Sequence, residues 1–202
     1  LREYWYPIAY SADIGAALDV VGATLVREIA PGEVVVIDDD GPQSHFPFAE
    51  DRINPTLCLF EFVYFARPDT FLGGRGVHQA RVRMGEVLST QQPVEADMVM
   101  GVPESGIPAA EGYARASGIP FGQGLVKNRY IGRTFIAPTQ EVRALGVRMK
   151  LNPLRDTIEG QRLVVVDDSI VRGTTTKAMV AMLFDAGAAE VQREDERDVI
   201  SP

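Results

Sequence analysis

The stretch VVVDDSIVRGTTT, residues 164–176, joins an apolar run to two adjacent carboxylates and a loop of hydroxyl groups. Asp167 and Asp168 fall where a buried strand would end, which is where open parallel sheets bind ligands. Adjacent carboxylates repel each other, and a Mg²⁺ ion or a sugar diol would stabilise the pair, since Mg²⁺ prefers oxygen ligands. The following loop offers groups that suit a phosphate, namely Ser169, Arg172, Gly173, Thr174 and Thr175. The pattern predicts that a metal ion and a phosphate-bearing sugar meet at this loop.

A plainer interpretation of the two carboxylates stays open. Asp167 and Asp168 would then cap the next helix, and the loop rich in Ser and Thr would only reflect turn chemistry. The whole arrangement of strand, acids, hydroxyls, arginine and glycine favours the phosphate site. It differs from a Walker loop because no glycine precedes Arg172 at the required spacing.

The elements that would position this loop alternate along the chain. Strand patterns cover 34–37, 58–65, 98–102 and 163–166, and helical patterns cover 77–88, a segment ending at 117, and about 176–186. Gly118 and Gly187 stop the last two helices, and Arg81 and Arg83 are predicted to face outward from the first. Strands alternating with helices predict a mainly parallel sheet flanked by helices, whereas 41–55 is typical of a connector.

The composition of the 202 residues is that of an ordinary globular protein, with 46% hydrophobic and 24% charged residues. A net charge of −8 argues against nucleic acid as a partner, although a local basic cluster would still bind an anionic small molecule. No apolar run approaches the ~20 residues that span a bilayer, and residues 1–6 lack the pattern of a signal peptide. With a single cysteine, we expect a cytoplasmic protein without membrane contact.

A second segment suited to an anion lies between a predicted strand and a predicted helix. Pro103, Glu104, Ser105 and Gly106 form a tight turn there, and its backbone amides would face a pyrophosphate group. The alternative for this segment taken alone is an ordinary turn between strand and helix.

A basic patch interrupts the acidic chain between Gly124 and Gly132. Its members are Lys127, Asn128, Arg129, Tyr130 and Arg133. We interpret the patch as a lid that closes over pyrophosphate and neutralises it. The alternative is a solvated loop.

These motifs resemble a known family. Residues 164–176 resemble the phosphoribosyl-pyrophosphate (PRPP) loop of type I phosphoribosyltransferases. The stretches FEFVYFARPDT (60–70), GVPESGIPAAEGYA (101–114) and GLVKNRYIGRTFIAPTQ (124–140) resemble the glutamine PRPP amidotransferases, or amidophosphoribosyltransferases, and the likeness runs from about Ala17 to Val191. The resemblance implies an α/β fold of the type I phosphoribosyltransferase kind at 51–202. Residues 1–50 would be a short β-rich remnant of an N-terminal nucleophile glutaminase domain and a connector.

The resemblance also implies an activity, in which PRPP and ammonia give 5-phosphoribosylamine and pyrophosphate in the first step of purine synthesis. By the same likeness, Mg²⁺ is the cofactor, purine nucleotides are feedback ligands and the assembly is a homo-oligomer. The implied metal ligands are Ser105, Asp167 and Asp168. Lys127, Arg129 and Tyr130 would act on the leaving group, and Lys150 and Asn152 would add contacts to the substrate.

Three features depart from the family pattern. The family's glutaminase nucleophile is an N-terminal cysteine, whereas this chain begins with Leu1, so we expect no glutamine hydrolysis from it. Cys58 matches the first of four cysteines that hold a [4Fe–4S] cluster in some members, but one thiolate cannot hold a cluster. Cys58 is therefore interpreted as a buried thiol that would ligate iron only in a longer parent chain. The charged run at 192–198 interrupts an expected strand, which favours a truncated or edited C-terminus.

Two other functions stay open at this point. The chain would be a non-catalytic module that binds PRPP or a purine nucleotide, or a phosphoribosyltransferase of base salvage. The stretch KNRYIGRTFI resembles the amidotransferases and therefore argues against base salvage. An assay with free purine bases tests for base salvage directly.

Overall fold

The computed structural model describes residues 17–18, 20–24, 26–54, 56, 58–128, 149–168 and 174–195. An antiparallel hairpin lies in the N-terminal quarter of the chain. Strand Val34–Asp38 (β1) pairs with Gly41–His45 (β2). Gly41 has a φ of 105°, a value that favours glycine. The sequence predicted β1, but the connector assigned to 41–55 is wrong over β2. The polar side chains of β2 give no strand pattern, because its pairing with β1 uses the backbone.

The aromatic segment that was predicted as a strand at 58–65 contains a π-helix at Glu61–Phe65. Arg81 explains how this segment is held. Its Nε donates to the carbonyl of Phe62 at 2.7 Å and its Nη2 to the carbonyl of Ala66 at 2.9 Å. The prediction that Arg81 faces outward is wrong, since this residue is only 3% exposed. Helical periodicity reflects only the residues of the helix itself. It does not show that a neighbouring segment has buried carbonyls, which require a hydrogen-bond donor such as Arg81.

The remaining elements alternate along the chain. In order they are β3 (Phe71–Leu72), β4 (Arg75–Gly76), α1 (Val77–Gln91), β5 (Met98–Gly101), α2 (Ile107–Ser117), β6 (Leu125–Lys127), β7 (Leu151–Pro153), α3 (Arg155–Ile158), β8 (Arg162–Asp167), α4 (Thr174–Asp185) and β9 (Glu190–Asp195). The predicted helices and the strands at 98–102 and 163–166 are confirmed. The elements β3, β4, β6, β7 and α3 escaped prediction because two to four residues are too few to show a period.

The central sheet has three parallel strands in the spatial order β5–β8–β9. Met98 of β5 lies opposite Leu163 of β8, which lies opposite Val191 of β9. Strand β9 continues to Asp195. The expectation that the charged run at 192–198 interrupts this strand is therefore wrong as far as Asp195, because backbone pairing with β8 tolerates charged residues.

Both faces of the sheet are covered. One core cluster joins Met98, Met100, Leu163 and Val165 to the buried side of α4. The other joins Val99, Val164 and Val166 to α2 and Leu88 of α1. Successive strand residues alternate between the two clusters, as the pleat of a strand requires, which explains the continuously apolar sequence of β8. Across the described ranges, no helix has the length and apolar character to span a membrane.

Helices α1 and α2 approach each other at two glycines. A Cβ atom on Gly85 would lie 1.8 Å from the carbonyl oxygen of Ala109, and one on Gly112 would lie 1.9 Å from that of Val82. Since real Cβ atoms cannot come so close to a backbone oxygen, these two glycines set the distance between the helices. Helix α2 follows the 103–106 turn directly, so this contact also holds the turn's position.

Gly112→Ala should lower the free energy of unfolding by at least about 2 kcal/mol, because the helices must separate to admit the methyl group. Urea denaturation measures this change. The control is Gly76→Ala, where the nearest heavy atom to the added Cβ is on Phe71 at 3.7 Å. Equal stability of the two variants would contradict the close helix contact.

The opposite end of the sheet carries an ion pair between β8 and the residue before β5. Asp97 accepts from the backbone amide of Arg162 at 2.9 Å and from its Nη2 at 2.8 Å. The side-chain hydrogen bond from Arg162, followed by the backbone hydrogen bond, lowers the pKa of Asp97 to about 2. A lowered folded-state pKa stabilises the fold above the ordinary Asp pKa of about 4, and that contribution is lost as the pH falls towards 2.

Asp97→Asn should therefore lose less stability between pH 5 and pH 2 than the unchanged chain. Urea denaturation at several pH values measures the two slopes. Asp51→Asn makes the same charge change at an exposed position and should keep the steep loss. Parallel slopes for Asp97→Asn and the unchanged chain would refute the contribution of this pair.

Candidate active site

The predicted ligand site, called the crevice below, lies where β5 and β8 end side by side. Gly101 is opposite Val166, and the amide of Val102 donates to the carbonyl of Val166 at 2.9 Å, which extends the pairing by one residue. Asp167 and Asp168 follow Val166 directly. The 102–106 turn and the two acids therefore leave the sheet at the same edge, where open parallel sheets bind ligands.

Two glycines let the turn fold back onto the end of β8. A Cβ atom on Gly106 would lie 2.5 Å from the carbonyl oxygen of Val166, and one on Gly101 would lie 2.6 Å from Cα of Ile107. The amide of Gly106 donates to the carbonyl of Val102 at 3.1 Å, and the Pro103–Glu104 peptide bond is cis. Among the residues that the structure describes, none accepts a hydrogen bond from the amides of Glu104 or Ser105, so these amides suit an anion.

Ser105 and Asp168 meet in this crevice. The Ser105 hydroxyl donates to Oδ2 of Asp168 at 2.5 Å, although the two residues are 63 positions apart in the chain. Asp168 is buried, at 7% exposure, while Asp167 is half-buried and its Oδ1 accepts from the amide of Asp168 at 2.9 Å. The predicted neighbourhood of acid and hydroxyl is therefore present in the structure.

An ion pair joins the 102–106 turn to the end of β6. Nζ of Lys127 lies 3.3 Å from Oε2 of Glu104. Lys127 is the last residue of β6, where it pairs with Leu151 of β7. The sequence placed both residues near pyrophosphate but gave no indication that they pair, because a lysine in one loop is compatible with many carboxylates.

The two further predicted contacts lie at and just before the neighbouring strand β7, with Asn152 inside it and Lys150 directly before it. The backbone carbonyl of Lys150 accepts from the amide of Asn128 at 2.7 Å, and Asn152 pairs with Val126 of β6. Asn152 also lines a groove of about 500 Å³ with Arg155 and Met182. Strand pairing thus ties Lys150 and Asn152 to the segment that ends in Lys127.

Several predicted residues lie outside the described ranges, namely Arg129, Tyr130, Arg133, Ser169, Arg172 and Gly173. Thr174 and Thr175 begin α4, so the hydroxyl-rich loop leads into a helix N-terminus, a favourable position for phosphate. The interpretation of Cys58 as a buried thiol is wrong, because this cysteine is exposed. An aromatic sequence around a cysteine does not decide on which side of the chain the core lies.

The donor atoms in the crevice fit Mg²⁺. Asp168, Asp167 and Ser105 offer only oxygen, which Mg²⁺ prefers, and this ion commonly uses one or two carboxylates together with substrate phosphates and water. In the part of the chain that the structure describes, no group of three or more His, Cys, Asp or Glu side chains forms a metal cage. The chemistry of these donors therefore suits a metal shared with a substrate.

Residues 84–192, more than half of the chain, match the family model described as "Phosphoribosyl transferase domain". The chain belongs to this family. The match spans both halves of the crevice, from α1 through the 102–106 turn to β9, so the phosphoribosyl transferase domain contains Ser105, Lys127 and Asp168.

Relatives within this family extend the likeness towards the N-terminus. The chain is 60% identical over 176 residues to the amidophosphoribosyltransferase of Mycobacterium tuberculosis, covering 87% of this chain and 33% of the relative. It is 54% identical over 175 residues to the enzyme of that name from Bacillus subtilis, covering 87% of this chain and 36% of the relative. The chain thus spans about a third of the length of these curated relatives.

Solved structures agree with the phosphoribosyl transferase fold. A structure described as the allosteric regulatory enzyme of purine biosynthesis matches with a TM-score of 0.81 and 52% identity, over 90% of this chain and 39% of that one. Glutamine PRPP amidotransferase from B. subtilis, complexed with ADP and GMP, matches with a TM-score of 0.80 and 52% identity, over 90% of this chain and 40% of that one. The expected α/β class, a parallel sheet flanked by helices and preceded by short strands, is confirmed.

Ser105→Ala should lower the free energy of unfolding by about 1–2 kcal/mol, because buried Asp168 loses a hydrogen-bond donor. Thermal or urea denaturation measures the change. Ser117→Ala serves as the control. The hydroxyl of exposed Ser117 makes two long hydrogen bonds at the far end of α2, to the carbonyl of Ala114 at 3.5 Å and from the amide of Ile119 at 3.3 Å, and should contribute little. An unchanged stability of Ser105→Ala would contradict the coupling of the turn to β8.

Proposed function

We propose that the chain carries the phosphoribosyl-transfer step of an amidophosphoribosyltransferase, in which PRPP and ammonia give 5-phosphoribosylamine and pyrophosphate. The single observation that carries this proposal is the contact between Ser105 and Asp168 at the edge where β5 and β8 end. The names of the similar proteins supply the reaction. We assign the transferase domain to 51–202, and 1–50 to the last strands of a glutaminase domain with its connector, which the hairpin of β1 and β2 supports.

The substrate would bind along the crevice in three parts. Asp167 and Asp168 would accept hydrogen bonds from the ribose hydroxyls. The helix start after them would hold the 5-phosphate through Ser169, Arg172, Gly173, Thr174 and Thr175. The turn at Pro103, Glu104, Ser105 and Gly106 would present its amides to pyrophosphate. Asn152 of β7 and Lys150, just before β7, would add further contacts.

The reaction replaces the bond between C1 of ribose and pyrophosphate oxygen with a bond between C1 and nitrogen. Positive charge develops on the sugar ring while negative charge develops on the leaving group, so positioning and electrostatics supply most of the acceleration. Lys127, together with Arg129 and Tyr130 in the proposed lid, would stabilise pyrophosphate as it leaves. Ammonia attacks in its neutral form and loses a proton afterwards, and no protein nucleophile is required.

Mg²⁺ would be held by Asp167, Asp168 and Ser105 and, when bound, would neutralise charge on the leaving pyrophosphate. The ligands of the B. subtilis structure, ADP and GMP, support purine nucleotides as feedback ligands of this chain. Ammonia would be supplied from elsewhere, as it is derived from glutamine in the family that the chain resembles.

Asp168→Asn should reduce pyrophosphate release from PRPP, Mg²⁺ and ammonium salt by at least about 100-fold, because the site loses its buried charge. A coupled pyrophosphate assay measures the rate. Asp39→Asn changes the same charge in the exposed β1–β2 turn and should keep full activity. Unchanged turnover in Asp168→Asn would contradict the site. PRPP binding without pyrophosphate release at any ammonium concentration would favour a binding module, and turnover only with free purine bases would favour base salvage.

A further inference from the structure

Glu104 introduces a negative charge into a turn whose proposed role is to bind an anion. Its Oε2 lies 3.3 Å from Nζ of Lys127, and its side chain extends from the turn that presents amides to pyrophosphate. A carboxylate next to a bound pyrophosphate would repel it. Anion binding alone therefore does not explain the carboxylate of Glu104 in this turn. The same carboxylate forms an ion pair with Lys127, the residue that we propose contacts pyrophosphate.

The two backbones that carry this pair are fixed. Lys127 ends β6, where it pairs with Leu151, and the next amide, that of Asn128, donates to the carbonyl of Lys150 at 2.7 Å. On the other side, the turn that carries Glu104 is tied to Val166 through the amide of Val102 at 2.9 Å. Only the long side chains of Lys127 and Glu104 are then required to move when the pair opens.

The pair itself is exchangeable. The Lys127 side chain is 45% exposed and that of Glu104 is 68% exposed. Water screens ion pairs of this kind, so they contribute little stability and open easily. A pyrophosphate group that enters the crevice carries more negative charge than one carboxylate or one orthophosphate, and it would attract Lys127 more strongly than either does.

We propose that Glu104 is a positioning residue that holds Lys127 across the crevice in the absence of substrate and releases it to the pyrophosphate group when substrate binds. This inference rests on the proposed function of the same site. Glu104 acts as a competitor within the site, so a weakly charged anion does not displace it from Lys127 whereas pyrophosphate does. The pair thereby favours pyrophosphate over orthophosphate.

Glu104→Gln should bind Mg²⁺–pyrophosphate roughly two- to fivefold more tightly than the unchanged chain, as expected from removal of an exposed competing pair. The gain should shrink as salt is raised, because salt screens the pair. Titration calorimetry with Mg²⁺–pyrophosphate, and with orthophosphate for comparison, measures both affinities. Glu28→Gln removes one exposed charge far along the chain and should leave both affinities unchanged. Circular dichroism and thermal denaturation verify the fold of each variant.

A double-mutant cycle with Lys127→Gln separates competition for the lysine from simple repulsion. If Glu104 acts through Lys127, Glu104→Gln should give a smaller gain in the Lys127→Gln background. An equal gain in both backgrounds would overturn the inference in favour of direct repulsion. Weaker binding by Glu104→Gln would also overturn it, because the carboxylate would then help to hold the metal and pyrophosphate.

Binding measurements on the unchanged chain and on Glu104→Gln distinguish a failure of the proposed function from a failure of the role of Glu104. If the unchanged chain does not bind Mg²⁺–pyrophosphate or PRPP, the proposed function is contradicted and the inference with it. If the unchanged chain binds both but Glu104→Gln binds with the same affinity, only the role of Glu104 is contradicted.

Discussion

The parallel pairing of β5 with β8 decides where every group in the crevice lies. Gly101 is opposite Val166, and the bond from the amide of Val102 to the carbonyl of Val166 continues that register into the turn. A slip of one residue would exchange the two faces of a strand, which would move the valines of β8 out of their core clusters and turn Asp168 away from Ser105. Burial of both faces of β8 therefore stabilises the fold and aligns the site at once.

Close backbone approach is the second requirement of this architecture. Gly106 and Gly101 allow the turn to fold against the end of β8, and Gly85 and Gly112 allow α1 to lie directly against α2. The turn leads straight into α2, so the helix contact and the crevice share one set of constraints. Substitutions at the helix contact would thus act on the site without touching a substrate.

The proposed substrate is an anion, whereas the chain as a whole is acidic. The net charge of −8 would repel an anion such as PRPP, and the local arrangement has to overcome this repulsion. Backbone amides at a turn and at a helix start attract phosphate without adding side-chain charge. Lys127 adds a positive charge next to this turn, where it is paired with Glu104. We propose that this charge becomes available to the ligand only when pyrophosphate displaces Glu104.

The sequence by itself determined the alternation of strands and helices, the glycine ends of the helices, and the position of two acids at the end of an apolar strand. These features are local, since each depends on the period or the chemistry of a few consecutive residues. The family resemblance implied that Ser105 and Asp168 share a metal site, and the structure brings the two side chains together. Tertiary structure alone decided that Lys127 faces Glu104, that Arg81 is buried where it binds the carbonyls of Phe62 and Ala66, and that Cys58 is exposed. Each of these depends on contacts between segments distant in the chain, or on backbone carbonyl groups, which every residue carries and which the sequence therefore does not distinguish. Local patterns do not contain that information.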